Sequence, residues 1–271
     1  MCRFNNKEII LNVFDFNDLL KIVSIAKSAG SKVLEIYNTN FKFEFKSYKN
    51  PVTDADLISN KTIYEFLQRE YPKIPIMSEE LIQDFDFLSV EDFYWCIDPL
   101  DGTKEFISKN DEFTINIALI KNKKPFLGVI YAPAKKILYA ALTKFGAFKE
   151  LDGQILKKIE LKKKERKKMA MIVSRSHLDE KTKLLIKKQN IKVIKLGSSL
   201  KLAYIAEGRA DFYPRFSPTM LWDIAAGHCI INEAGGFLKT QHGTDIEYDP
   251  KKLVNNFFIA LGDVKYLKEI K

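Results

Sequence analysis

The sequence predicts a mixed α/β protein in two parts, an α+β first half and an α/β second half. Two observations carry this. Between residues 93 and 142, four apolar runs follow one another with only short turns between them, as antiparallel strands do. After residue 169, apolar runs alternate with segments of helical period, as in β-α-β units. The boundary is expected near residue 153, giving an N-terminal α+β domain over 1–153 and a C-terminal α/β domain over 154–271. With 271 residues, 46% of them hydrophobic, the chain can bury one large core or two closely packed ones.

The elements follow in order. Asn17 or Asp18 is the expected cap of a first helix, in which Leu19, Val23, Ala26, Val33 and Tyr37 recur on one face. Phe41, Phe43 and Phe45 alternate with Lys42, Glu44 and Lys46, the pattern of a half-buried strand. Lys49-Asn50-Pro51 turns the chain, and Asp54 or Asp56 opens a second helix that stops before Pro72. Strands are expected at 93–97, 113–120, 126–131 and 137–142, with turns at 121–124 and 133–136. The second half reads as strand 169–174, helix 180–189, strand 192–196, helix 199–207 closed by Gly208, strand 210–213, and helix 224–234 closed by Gly235 and Gly236.

Composition excludes several classes of function. The net charge is +9, from 44 basic and 35 acidic residues, which favours anionic partners. Much of the excess lies in one run, Lys157, Lys158, Lys162, Lys163, Lys164, Arg166, Lys167 and Lys168. No aromatic residue interrupts that run, so it offers no stacking platform for single strands. A solvated connection explains it, and no specific nucleic-acid partner is expected. Cys2, Cys96 and Cys229 are too scattered for a zinc site or a disulfide framework. The first residues do not read as a signal peptide, and no apolar stretch approaches the roughly 18 residues of a membrane span. The expected location is cytoplasmic, with peripheral contact at the inner membrane through the lysine run as the open alternative. No GxxxxGK[ST], GxGxxG, GxSxG or HExxH pattern occurs, and three dispersed histidines argue against histidine-driven hydrolysis.

The chemistry concentrates at Trp95-Cys96-Ile97-Asp98-Pro99-Leu100-Asp101-Gly102-Thr103, where an apolar strand runs into two carboxylates three residues apart. Two acids on one tight turn repel unless a cation sits between them, and oxygen ligands suit a hard ion such as Mg²⁺. By itself the motif also reads as an exposed turn with solvated aspartates. Three further boundaries favour the metal reading: Glu79 and Glu80 after Ile74–Met77, Asp54 and Asp56 at a helix start, and Asp223 at another. Two or three Mg²⁺ ions held by Glu79, Asp98, the Leu100 carbonyl, Asp101, Asp223 and Asp56 would neutralise a phosphate ester and lower the pKa of a bound water. Glu80 and Thr103 together can orient that water and take its proton. The backbone N–H groups of Gly102 and Thr103 can hold phosphate oxygens.

These residues resemble a known family. DPLDGT at 98–103 followed by WDIAAG at 222–227 is similar to the two-part signature of the inositol monophosphatase-like, Mg²⁺-dependent, lithium-sensitive phosphatases, over roughly residues 17–262. DPLDGTKEF at 98–106, FTINIALI at 113–120, GVIYAP at 128–133, SRSH at 174–177, GSSLK at 197–201 and YPRF at 213–216 resemble the bacterial 3′(2′),5′-bisphosphate nucleotidases within it. The resemblance implies a layered α-β-α-β-α sandwich. It implies Glu79, Asp98, Leu100, Asp101 and Asp223 as metal ligands, Glu80 and Thr103 as the water-activating pair, and Asp56 as an aid to a further metal or its water. It implies His177, Ser198, Lys201 and Arg215 as nucleotide-binding residues. Ser198 and Lys201, three apart, share a helix face, and a Lys/Arg pair suits a second phosphate; the bland alternative is a solvated lysine and a surface arginine. The implied reaction is hydrolysis of adenosine 3′,5′-bisphosphate to AMP and phosphate, with the sulfated nucleotide as a further substrate and a role in sulfate assimilation. The competing readings are inositol monophosphate or fructose 1,6-bisphosphate hydrolysis, and a non-catalytic phosphonucleotide or nucleic-acid binder.

Overall fold

Helix α1 (Phe16–Tyr37) is the first helix of the computed structural model, which describes residues 14–47, 50–87, 90, 92–161, 168–176, 178–188 and 191–269. Its cap is Asp15, two residues before Asn17 and three before Asp18. The Asp15 carboxylate accepts from the Asn17 and Asp18 backbone N–H groups at 2.7 and 3.1 Å, and Asp18 answers by accepting from Asp15 N at 3.0 Å. After the hairpin of β1 (Phe43–Ser47) and β2 (Asn50–Thr53), helix α2 spans Asp54–Glu70. Here too the cap is the preceding hydroxyl, Thr53, while Asp56 closes the box from the third helical position. In both helices the acid expected as cap is the residue that reaches back to it.

A seven-stranded sheet follows, in the order β3 (Ile76–Ser78), β4 (Phe93–Asp101), β5 (Thr114–Lys121), β6 (Lys124–Ala132), β7 (Ile137–Leu142), β8 (Gly146–Leu151) and β9 (Lys157–Ile159). All neighbours are antiparallel except β3 with β4. Between β4 and β5 lies the short helix α3 (Thr103–Ile107). The second sheet has the order β11-β10-β12-β16-β14, built from β10 (Ala170–Ser174), β11 (Lys192–Leu196), β12 (Phe212–Arg215), β14 (Phe237–Thr240) and β16 (Phe258–Leu261). Helices α4 (Glu180–Lys188), α5 (Leu200–Ala206) and α6 (Leu221–Glu233) are threaded between these strands in sequence. A two-residue ladder, β13 (Thr219–Met220) with β15 (Val254–Asn255), abuts the start of α6.

The elements stack as five layers, α-β-α-β-α. Helices α1 and α2 cover one face of the large sheet, α5 and α6 lie between the two sheets, and α4 covers the outer face of the second. Side-chain alternation divides the apolar residues accordingly. Trp95, Ile97, Ile115, Ile117, Leu127, Val129 and Leu138 face α1 and α2. Tyr94, Cys96, Ala118, Ile130 and Tyr139 face the central helices. A sheet covered on both faces has no polar side, which is why FTINIALI reads as one apolar run. Central helix α6 sits close on β6 because Gly128 has no side chain: a Cβ there would lie 2.5 Å from the Ala226 carbonyl oxygen.

Strands 76–78, 146–151, 157–159, 237–240 and 258–261 lie outside the sequence expectation, being short or bounded by weak turn signals. Strand β12 runs two residues later than expected, and α6 begins three residues earlier. Most of the lysine run, residues 162–167, falls outside the described residues. Cys96 and Cys229 are buried free thiols. Among the described residues, no helix is long and apolar enough to cross a membrane.

Candidate active site

The two aspartates of DPLD owe their common orientation to a β-bulge. Asp98 pairs with Asn116 and Asp101 with Thr114, so three steps on β4 match two on β5. In a regular strand, residues three apart point to opposite faces. The extra residue restores the parity and turns both carboxylates to the same side. Asn116 and Thr114 face that side too, with Asn116 Nδ2 3.5 Å from Asp101 Oδ2. Gly102 then adopts φ +88°, a left-handed conformation that suits glycine, and Thr103 starts α3.

Helix α2 and strand β3 supply the next wall. Ser59 on α2 donates to the Pro99 carbonyl at 2.7 Å, fastening the bulge to the helix. The Asp56 carboxylate accepts from Thr53 N and Oγ1, both at 2.7 Å, through one oxygen. The other accepts from Thr103 Oγ1 at 3.2 Å. Parallel pairing of Ser78 with Ile97 brings Glu79, one residue on, beside Asp98.

The second half closes the pocket. The N-terminal turn of α6 carries Asp223, whose carboxylate accepts from Met220 N at 2.8 Å. The turn Gly197–Ser199, ahead of α5, lies against the metal loop. Ser199 N and Oγ are 2.6 and 2.7 Å from Asp101 Oδ2, and the same hydroxyl is 2.8 Å from the Asp223 carbonyl and accepts from Asn116 Nδ2 at 2.9 Å. Ser198 bonds Thr114 through their hydroxyls at 2.5 Å, and its carbonyl accepts from Lys201 Nζ at 2.5 Å. Arg215 comes in from the end of β12.

Together these residues line a cavity of about 260 Å³. Glu79, Asp98, Leu100, Asp101, Gly102, Thr103, Ser198, Lys201, Arg215 and Asp223 are all on its wall. Asp56 and Glu80 are not. Asp56 reaches the site through Thr103, and Glu80 follows Glu79 on the 3₁₀ turn over 79–84. His177 lies outside the described residues. Ser199, Asn116 and Thr114 went unassigned in the sequence, since their signal is a buried polar side chain inside an apolar run. Arg215 Nε is buried without a hydrogen-bond partner, as are Ser217 Oγ and Thr219 Oγ1. Buried donors of this kind are usually satisfied, so the second-half wall is polar and ready for an acceptor.

The electrostatics set the first-half wall apart. Burial pushes the Asp98 carboxyl well above the ordinary carboxylate range, and the charges of Glu79, Asp101, Asp223 and Asp56 push it further. Burial and the Asp101 charge lift Asp223 to about 7, against the opposing Met220 N–H, Arg215 and Lys201. Lys201 is held below the usual lysine range, first by burial, with Arg215 adding to the effect and Asp101 and Glu105 opposing it. Glu79, Asp98, Asp101 and Asp223 share one pocket, yet among the described residues no three His, Cys, Asp or Glu side chains are gathered into a ready ion cage. Asp56, Asp101 and Asp223 each spend an oxygen on N–H or O–H donors instead. The donor set is all oxygen and mutually repelling, which fits hard divalent cations.

The sequence pattern of the inositol monophosphatase family matches residues 16–265. The chain belongs to the inositol monophosphatase family. Within this family it is 44% identical over 232 residues to the 3′(2′),5′-bisphosphate nucleotidase CysQ of Buchnera aphidicola subsp. Acyrthosiphon pisum (strain APS), covering 84% of this chain and 86% of that one. It is 37% identical over 235 residues to the protein of the same name from Escherichia coli (strain K12), covering 86% and 94%. Among solved structures, CysQ from Bacteroides thetaiotaomicron superimposes with a TM-score of 0.80 at 38% identity, over 92% of this chain and 98% of that one. The Thermotoga maritima IMPase gives 0.79 at 25% identity, over 94% and 97%. The inositol monophosphatase fold therefore extends over both sheets and all the walls of the pocket.

Proposed function

We propose that this chain is a 3′(2′),5′-bisphosphate nucleotidase that hydrolyses the 3′-phosphate of adenosine 3′,5′-bisphosphate, giving AMP and phosphate. One observation carries the reading: a carboxylate wall and a cationic wall face each other across a single small pocket. The cationic wall is Lys201 and Arg215, with a buried guanidinium N–H left without an acceptor. The nucleotidase relatives, at up to 44% identity over most of the chain, support the same substrate.

Glu79, Asp98, the Leu100 carbonyl, Asp101 and Asp223 would hold divalent cations, Mg²⁺ being the ion that suits this donor set, in a complement of two or three. Bound there, such ions supply charge neutralisation and a lowered water pKa. The chain's own residues do the rest. The Thr103 hydroxyl, bonded to Asp56, is positioned to orient a water, and Glu80 on the neighbouring turn is the base for its proton. Gly102 and Thr103, at the start of α3, present backbone N–H groups to the reacting phosphate. Lys201 and Arg215 grip the 5′-phosphate, with Ser198 and His177 as the remaining nucleotide contacts. The sulfated nucleotide, which carries the same 3′-phosphate, would be a second substrate.

The test is phosphate release with Mg²⁺ from adenosine 3′,5′-bisphosphate, inositol 1-phosphate and fructose 1,6-bisphosphate, side by side. A preference of a hundredfold or more for the first, about 2.7 kcal/mol of transition-state binding, supports the nucleotidase. Comparable rates on all three reduce the activity to a broad sugar-phosphate phosphatase.

A further inference from the structure

The turn that carries the proposed 5′-phosphate residues is strained. Ser198 has φ +52°, a left-handed conformation uncommon for a residue with a side chain. Such conformations persist only where the surroundings over-determine them, and they cluster at functional sites. Lys201 is tied to this strained residue, since its ammonium donates to the Ser198 carbonyl. Whatever holds the turn therefore also places the lysine.

Three grips hold it. Ser199 is fastened to the metal-loop side, to Asp101, Asn116 and the Asp223 carbonyl, and the Ser198 hydroxyl is bonded to that of Thr114. The Gly197 end has a different partner. Gly197 N donates to Glu112 Oε2 at 2.7 Å, from the segment that leads into β5. Glu112 is itself fixed by a two-pronged bond from Arg175, with Nε to Oε2 at 2.7 Å and a terminal guanidinium nitrogen to Oε1 at 2.8 Å. The same terminal nitrogen reaches the Lys195 carbonyl at 3.3 Å. Glu112 is 7% exposed. A buried carboxylate is costly unless paired, and this one is paired with the end of β10 and the turn after β11. It is not on the pocket wall, so its carboxylate does not face the reacting phosphate.

We propose that Glu112 is a positioning residue for recognition of the second phosphate. Braced by Arg175, its carboxylate holds the Gly197 end of the turn in the strained shape that sets Lys201. This rests on the nucleotidase reading. It separates two kinds of change at the site. Losing the Ser199 grip would disturb the metal loop. Losing the Glu112 grip would release Lys201 and leave the metal loop tied to Ser199.

The experiment compares adenosine 3′,5′-bisphosphate with adenosine 3′-monophosphate, which differ only in the 5′-phosphate. Glu112→Met keeps the side-chain length and removes the acceptor. It is expected to raise KM for the bisphosphate tenfold or more, with kcat within threefold and both constants for the monophosphate within threefold. Glu112→Gln keeps one acceptor oxygen for Gly197 N and should recover most of the loss. A second readout needs no turnover: calorimetric titration of AMP in EDTA should show a matching loss of affinity in Glu112→Met. If the wild-type enzyme treats both substrates alike, the nucleotidase reading falls and this inference with it. If the wild type prefers the bisphosphate but Glu112→Met loses equally on both, or on neither, only the role given to Glu112 is overturned.

Discussion

Replacing Asp223 by asparagine should make the protein more stable and inactive at once. The carboxyl is lifted from 3.8 to about 7 by burial and by Asp101. At roughly 1.36 kcal/mol for each tenfold change in proton affinity, the ceiling on what this charge costs the fold is about 4 kcal/mol. Part of Asp223 remains open to the pocket, where water screens the repulsion, so about 2 kcal/mol is the expected gain. The asparagine oxygen can keep the bond from Met220 N that Asp223 makes at 2.8 Å. The pH dependence follows from the raised folded-state value. The folded protein holds this proton more tightly than the unfolded chain, so the cost is absent below pH about 4, grows up to about 7 and is complete above. In EDTA at pH 8, scanning calorimetry should show the variant melting about 4 to 8 °C higher than wild type. At pH 4 the two should coincide. Phosphate release with Mg²⁺ should fall more than a hundredfold. An equal or lower melting temperature at pH 8 would show that Asp223 is not paying an electrostatic cost, and the reasoning for the acidic wall would fail.

Three other outcomes are expected. Mg²⁺ in large excess over its dissociation constant should raise the wild-type melting temperature, by the equivalent of about 2.7 kcal/mol at a hundredfold excess. Asp101→Asn should blunt that rise, and an undiminished rise would remove Asp101 from the ligand set. Lys201→Ala with Arg215→Ala should raise KM for the bisphosphate by roughly a hundredfold, as expected for two charge-assisted bonds of about 1.5 kcal/mol each. Activity on adenosine 3′-monophosphate should stay within a few-fold, and an equal loss on both substrates contradicts the assignment. Gly128→Ala should lower stability by about 1–3 kcal/mol through overpacking, because its Cβ would meet the Ala226 carbonyl oxygen at 2.5 Å. An unchanged melting curve would mean that α6 has room to move off β6.

Most of the fold was legible because its signals are local. The four central antiparallel strands and the alternation after residue 169 follow from apolar spacing, and the DPLDGT and WDIAAG segments locate two walls of the site. Long-range interactions decide the rest. The acids expected as helix caps reach back to Asp15 and Thr53, a choice set by the loop geometry before each helix. Strands such as 237–240 and 258–261 gain their stability from pairing with each other and with β12, which their own short sequences do not announce. In the site, Lys201 and Ser198 read as neighbours on a helix, but Ser198 stands before the helix in a left-handed turn. Ser199 lies within the quoted GSSLK segment and was passed over, because its importance comes from Asp101, 98 residues away in sequence. Glu112 gave no local sign at all, since only the fold brings Arg175 and Gly197 to it.

The bulge between Asp98 and Asp101 holds one residue more than the pairing needs, since their partners Asn116 and Thr114 are only two apart. Deleting either Pro99 or Leu100 would leave the aspartates two residues apart on a regular strand, still opposite those partners and still on one face. The loss would fall on the backbone between them. The Pro99 carbonyl that Ser59 holds at 2.7 Å and Leu100 on the pocket wall both belong to the looped-out stretch, and a straightened strand would return its peptide groups to the ladder. The surplus residue therefore serves the main chain: it frees peptide oxygens between two acids that a shorter chain would orient equally well.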